Sequence, residues 1–197
     1  MKNLLLLLSC IILQSFTAGI NDPIDRIGVK GPLTFDKTVF NLAWSSTPNK
    51  GYYVQEYLPK GEKVESFNQM LSIQLLEADI SINDVVSQKL RELNERKKTD
   101  PICNYQVIEN PEANEVIVDF LIGESKNDKM TIVEFNVYRY KQLELPEGKK
   151  AIILYFYSKR SYGERITPFL QTLKTERTKY INEMIGTDIP KLSIKEK

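Results

Sequence analysis

Few residues of this chain could do chemistry. Its 197 residues include no histidine and only two cysteines, Cys10 and Cys103. Without imidazole there is no Ser–His or Cys–His nucleophile pair, no His-ligated zinc and no ordinary general base near neutral pH. No glycine-rich phosphate loop and no calcium-loop spacing occurs, so no cofactor and no metal is expected. Paired carboxylates can still do acid–base work unaided. Asp119 and Glu134 are the candidates: Val116, Val118 and Phe120 would turn to one face of a strand and leave Asp119 on the other, where Glu134 could join it. A carboxylate-dependent hydrolase is one reading, although isolated acids on strands are more often solvated or ion-paired.

Two further groups could bind instead of react. Residues 130–158 read as two long strands joined by a Pro146-Glu147-Gly148 turn. Val133, Phe135 and Val137 alternate with Glu134, Asn136, Tyr138 and Tyr140, and Ile152, Leu154 and Phe156 alternate with Ile153, Tyr155 and Tyr157. Pairing the apolar sets sets Tyr138 opposite Tyr155 and predicts one aliphatic face and one rich in tyrosine. Tyrosine joins an apolar ring to a polar tip, which suits a half-exposed recognition surface. The competing reading is a second core beneath a helix. Farther on, Lys159, Arg160 and Arg165 fall in a predicted loop before the last helix, whose free N–H groups could hold an anion with them.

The elements that must position these residues follow from periodicity. Residues 33–44 and 52–57 alternate as strands around a turn cluster at 45–51, and 67–76 reads as a third strand. Ser81 and Asp84 open a helix that runs to about residue 98, with Ile82, Val85, Val86, Leu90 and Leu93 on one face. The cations Arg96, Lys97 and Lys98 answer the helix dipole in its last turn. Asp100-Pro101 ends the helix, and a four-strand meander runs from Asn104, with turns at 110–114 and 123–129. Thr167-Pro168 predicts the cap and first residue of a last helix that ends at Gly186. The fold class is α+β: a central, mainly antiparallel sheet of about seven strands, in the order β-β-β-α-β-β-β-β-α, packed against two amphipathic helices.

Residues 1–19 have the plan of a signal peptide: Lys2, an apolar run from Leu4 to Leu13, then Thr17-Ala18-Gly19, with Ile20 as the first mature residue. The run is too short to span a membrane as a helix. Leu7-Leu8-Ser9-Cys10 also permits a lipobox with Cys10 lipidated, although the apolar segment before it is short and continues after it. Residues 20–186 then form one domain and 187–197 a loosely attached tail. Removing Lys2 from 27 basic residues leaves 26, against 26 acidic ones. A neutral chain without a basic stripe does not point to nucleic acid. Cys103 is left as a single thiol, able to link two chains or to fill a core as a small hydrophobe. The chain is expected to be a monomer or a weak oligomer.

The strand and helix order behind an export signal resembles the PsbP-like and DcrB-like families. The likeness is carried by Phe40-Asn41-Leu42-Ala43-Trp44, the corner Tyr57-Leu58-Pro59-Lys60-Gly61, residues 67–75 and the tyrosine-bearing strands of 131–157. It implies an antiparallel sheet between helices that serves as an accessory or binding module, and it carries over no site residue. The expected function is that of an exported, non-enzymatic binding or accessory protein with a protein or small-molecule partner. The alternatives are the hydrolase using Asp119 and Glu134 and a toxin-neutralising or inhibitor-like protein.

Overall fold

Tight turns fold this chain into successive hairpins. In the computed structural model, which describes residues 23–145 and 148–194, β1 (Leu33–Phe35) and β2 (Thr38–Asn49) are joined by Asp36 and Lys37, both at positive φ. Asn127 and Asp128 do the same between β6 (Glu115–Lys126) and β7 (Lys129–Glu144). Positive φ at both central residues gives a turn whose twist matches that of the flanking strands. The leader at 1–19 with Cys10 and Ile20, the turn residues Pro146 and Glu147, and residues 195–197 lie outside the described part.

The remaining elements are β3 (Tyr52–Leu58), β4 (Gln69–Glu77), α1 (Ile82–Arg96), β5 (Asn104–Asn110), β8 (Lys150–Tyr162) and α2 (Ile166–Gly186). They build one curled antiparallel sheet in the order β1-β2-β3-β4-β8-β7-β6-β5. The class is α+β, as expected. Among the described residues the sheet has eight strands, close to the seven expected, the extra one arising because the turn at Asp36-Lys37 cuts a three-residue strand from the first segment. No described helix is long and apolar enough to cross a membrane.

Both faces of the sheet are covered. Packing on one face are α2 and the segment with Ile27 and Val29, over Leu71, Ile73, Phe135, Val137, Tyr155 and Tyr157. On the other face α1 places Val85, Val86 and Leu93 over Val118, Phe120, Tyr138, Leu154 and Phe156. The Ser81 hydroxyl accepts from the Asp84 N–H at 3.1 Å, which caps the start of α1 as its sequence predicts. At the far end Arg96 pairs with Asp100 at 3.0 Å and donates to the Gly123 carbonyl at 2.8 Å. A Cβ at Gly123 would lie 2.9 Å from the tip of the Ile102 side chain, so a larger residue there would make Ile102 shift. The predicted turn at 123–129 therefore shrinks to Asn127-Asp128, and β6 runs through Gly123.

At its start α2 differs from the sequence expectation. A 3-10 turn (Gly163–Arg165) leads straight into the helix, so Thr167 is no cap, and Pro168 sits within the first turn, where no N–H is needed. The other end of α2 is stapled by Arg139, which donates to the carbonyls of Met184 at 3.0 Å and Thr187 at 2.6 Å while binding both oxygens of Glu115. The tail is not loosely attached as far as it is described. Ile189, Leu192 and Ile194 pack on the α2-side core, and the Ser193 N–H donates to the Ile27 carbonyl at 2.8 Å.

Candidate functional site

Strand register decides which side chains share a face. Tyr138 lies opposite Phe156, and Tyr155 lies opposite Arg139, so Tyr138 and Tyr155 point to opposite sides of the sheet. This overturns the predicted tyrosine face by a one-residue slip in pairing. All three tyrosines are core: Tyr138 is 6 % exposed beneath α1, and Tyr155 and Tyr157 are 1 % and 0 % exposed beneath α2.

The proposed acid pair is divided by the same geometry. Asp119 lies opposite Val137 on the α2 face, and Glu134 lies opposite Ile122 on the α1 face. Asp119 instead pairs with Arg177 at 2.5 Å; burial pushes its carboxyl pKa up while Arg177 opposes that. The expected anion site is not assembled either. Lys159 and Arg160 belong to β8 and alternate between its faces. Lys159 donates to the Tyr180 hydroxyl and lies 3.5 Å from Glu176, Arg160 is held by Glu134, and Arg165 is exposed.

A different set of residues does come together, on the α1 face. Glu56 and Ser72 are paired across β3 and β4, and Ser158 and Asn136 across β8 and β7, with Met70 and Phe156 between. Each of these four polar residues is buried. The Ser158 hydroxyl donates to Asn136 Oδ1 at 2.5 Å, and the Ser72 hydroxyl to the Gln55 carbonyl at 3.0 Å. One row away the Tyr52 hydroxyl donates to Gln74 Oε1 at 2.8 Å. On the other side Arg160 donates to Glu134 at 2.5 Å with its guanidinium 4.0 Å from the Phe67 ring centre. From α1 the Lys89 ammonium stands 4.8 Å from the Phe120 ring centre, 5.4 Å from that of Tyr138 and 3.6 Å from Glu92. Burial pushes the Lys89 pKa down, and Glu92 works against that shift.

Two atoms in this strip lack a hydrogen-bond partner among the described residues: Glu56 Oε2 and Asn136 Nδ2. Glu56 is 8 % exposed and Asn136 0 %. Burial lifts the Glu56 pKa to about 7 from an ordinary 4.5; Arg160 pulls it down, while the charges of Glu134 and Glu65 add to the rise. The partnerless atoms on the α2 face, Asp119 Oδ2 and Arg177 Nη2, differ in kind, because they belong to one ion pair with each other. Chemically the strip offers a free acceptor, a free donor and aromatic walls. It holds no nucleophile–base pair, since the Ser72 proton goes to a backbone carbonyl and the Ser158 proton to Asn136. No group of three His, Cys, Asp or Glu residues able to hold a metal occurs among the described residues.

A protein-family model matches residues 27–189, most of the chain, and the family it describes is uncharacterised. The chain belongs to that family. No curated protein and no solved structure matches it. The matched span takes in both helices and all eight strands, and with them every residue of the strip.

Of this site the sequence reading named only Glu134, Arg160 and Tyr138. It missed Glu56, Ser72, Gln74, Asn136, Ser158 and Lys89. Ser72 and Gln74 alternate with Leu71, Ile73 and Leu75, and that pattern alone indicates a solvated face. The usable signal was different: polar residues on strands central to a sheet that two amphipathic helices must cover from both sides.

Proposed function

We propose that this is an exported, non-enzymatic binding protein that holds a small polar ligand against the α1 face of its sheet, along the strip from Glu56 to Asn136. One observation carries the reading: a buried acceptor and a buried donor, Glu56 Oε2 and Asn136 Nδ2, lie on the same face with no partner among the described residues. A buried polar atom left unpaired costs about 1–3 kcal/mol. A ligand that donates to the Glu56 oxygen or accepts from the Asn136 amide would offset that cost at its end of the strip. The export part rests on the leader-like residues 1–19, and the likeness to PsbP-like and DcrB-like accessory modules points the same way.

The test of the binding site is a chemical-shift screen of the mature chain against a mixture of small amines, carboxylates, amides and alcohols. Responses gathered on the backbone amides of Glu56, Ser72, Asn136 and Ser158 are expected. A screen in which no compound perturbs those amides, at concentrations up to millimolar, would remove the site. Mass spectrometry of the protein recovered from its native cells tests export; the expected first residue is Ile20, and a chain that keeps residues 1–19 would overturn that part.

A further inference from the structure

The two ends of the strip differ in a way that bears on the ligand's chemistry. Trp44 is the partner of Glu56 in the β2–β3 register, so its half-buried indole stands beside the Glu56 side chain on the same face. Tyr52, on the other flank, feels the charge of Glu56 strongly enough for its own hydroxyl pKa to be raised by it in addition to the effect of burial. A carboxylate beside aromatic faces is the usual means of holding an organic cation, which gains both from the charge and from the ring quadrupole.

The charge around Glu56 points the same way. The groups that act on it are Arg160 from β8, Glu134 from β7 and Glu65 from the 3-10 turn Val64–Ser66. Arg160 is already engaged by Glu134. Arg160 therefore compensates Glu56 only through space, and Glu65 adds a second negative charge at this end. Glu56 Oε2 also lacks an N–H or O–H donor among the described residues.

From these observations we infer that the Glu56 end of the strip takes the ammonium group of a small primary amine, with the Trp44 indole alongside it. A primary ammonium supplies all three things the geometry asks for: a positive charge, an N–H donor for Oε2 and a cation for the ring. An alcohol supplies only the donor, and a quaternary ammonium supplies the charge and the cation for the ring but no donor. The inference deepens the proposed binding function and rests on it.

Trp44 is the only tryptophan in the chain, so intrinsic fluorescence reports directly from this end. The experiment titrates the mature protein with n-butylammonium chloride, tetramethylammonium chloride and 1-butanol, at pH 6 and at pH 8. The expected result is a saturable change in Trp44 emission with n-butylammonium, a weaker one with tetramethylammonium, which lacks the N–H donor, and none with 1-butanol. Its affinity should be about tenfold higher at pH 8 than at pH 6, because the carboxylate form of Glu56 is the one that binds. Glu56→Gln should weaken binding by about tenfold or more at pH 8. Should that variant not fold, the pH series and the two control ligands on the unaltered chain decide by themselves. Equal affinity at the two pH values, an equal response to 1-butanol, or undiminished binding by folded E56Q would overturn the inference. If n-butylammonium gives no saturable response while a carboxylate, amide or alcohol perturbs the amides of Ser72, Asn136 and Ser158 in the screen above, the ligand class is wrong and the site stands. If no compound perturbs the strip, both fall.

Discussion

The two faces of the sheet are buried to the same depth in different ways. Beneath α2 the buried apolar side chains form one connected core, from Ile27 and Phe40 at the β1–β2 end through Val137 and Tyr157 to Met184. On the α1 side of the sheet the apolar side chains fall into three clusters, around Phe120 and Phe156 beneath α1 itself, around Tyr52 and Val54, and around Leu58 and Phe67. Glu56, Ser72, Asn136 and Ser158 run between them. Polar groups are buried on the α2 face too, but there they fasten elements together. Gln55 donates to the Val29 carbonyl at 3.1 Å and to the Tyr57 hydroxyl at 2.6 Å, and accepts from the Arg26 N–H at 2.5 Å. Arg139 fastens the end of α2. On the α2 face these groups tie separate elements together, whereas on the α1 face Glu56 Oε2 and Asn136 Nδ2 have no partner among the described residues.

Four measurements would break or sharpen that contrast. The largest effect belongs to the continuous core. Tyr157→Ala removes a fully buried ring stacked 4.5 Å from Phe35, and should cost about 4 kcal/mol in urea-induced unfolding. A loss under about 1 kcal/mol would mean that this core is not the main source of stability.

Next comes Glu56→Gln, with the opposite sign. The folded chain holds the Glu56 proton up to about pH 7 and the unfolded chain only to about 4.5, so folding binds a proton between those values. Glu56 therefore weighs little against folding below about pH 4.5, and its burden grows between about 4.5 and 7 and then levels off. Relative to the unaltered chain, E56Q should gain on the order of 3 kcal/mol between pH 4.5 and pH 8. Thermal melts at those two pH values give the difference, and no change in it would show that Glu56 is not held in an unfavourable setting.

Gln55→Leu comes third, at about 2 kcal/mol of lost stability, because it removes the side-chain partner of the Arg26 N–H and leaves the Val29 carbonyl with the Tyr57 hydroxyl alone. Chemical denaturation reads it, and amide exchange at Arg26 should speed up with it. The smallest effect is expected on the other face. The double replacement Asn136→Val with Ser158→Ala removes both partners of one hydrogen bond together with an unpaired donor, so stability should stay within about 0.5 kcal/mol or rise. A large loss there would make the strip a structural fastening like Gln55, and the contrast between the faces would disappear.

The sequence alone determined a good deal. Alternation located the strands, Ser81 and Asp84 marked the start of α1, Gly186 the end of α2, and the lack of histidine removed whole classes of chemistry. These are local properties, set by backbone geometry and by the side chain at each position. Only the tertiary structure decided register. That β7 and β8 pair was legible, but alternation has a period of two, and both strands are apolar on both faces, so a slip of one residue left the pattern equally acceptable. That slip moved Tyr155 and Tyr157 to the α2 side and away from Tyr138. Asp119 and Glu134, on adjacent strands, were separated by the pairing of β6 with β7. Glu56, Ser72, Asn136 and Ser158 come from four strands spread over about a hundred residues, and only the order β3-β4-β8-β7 brings them together. Strand order is fixed by long-range packing on α1 and α2, and no local pattern records it.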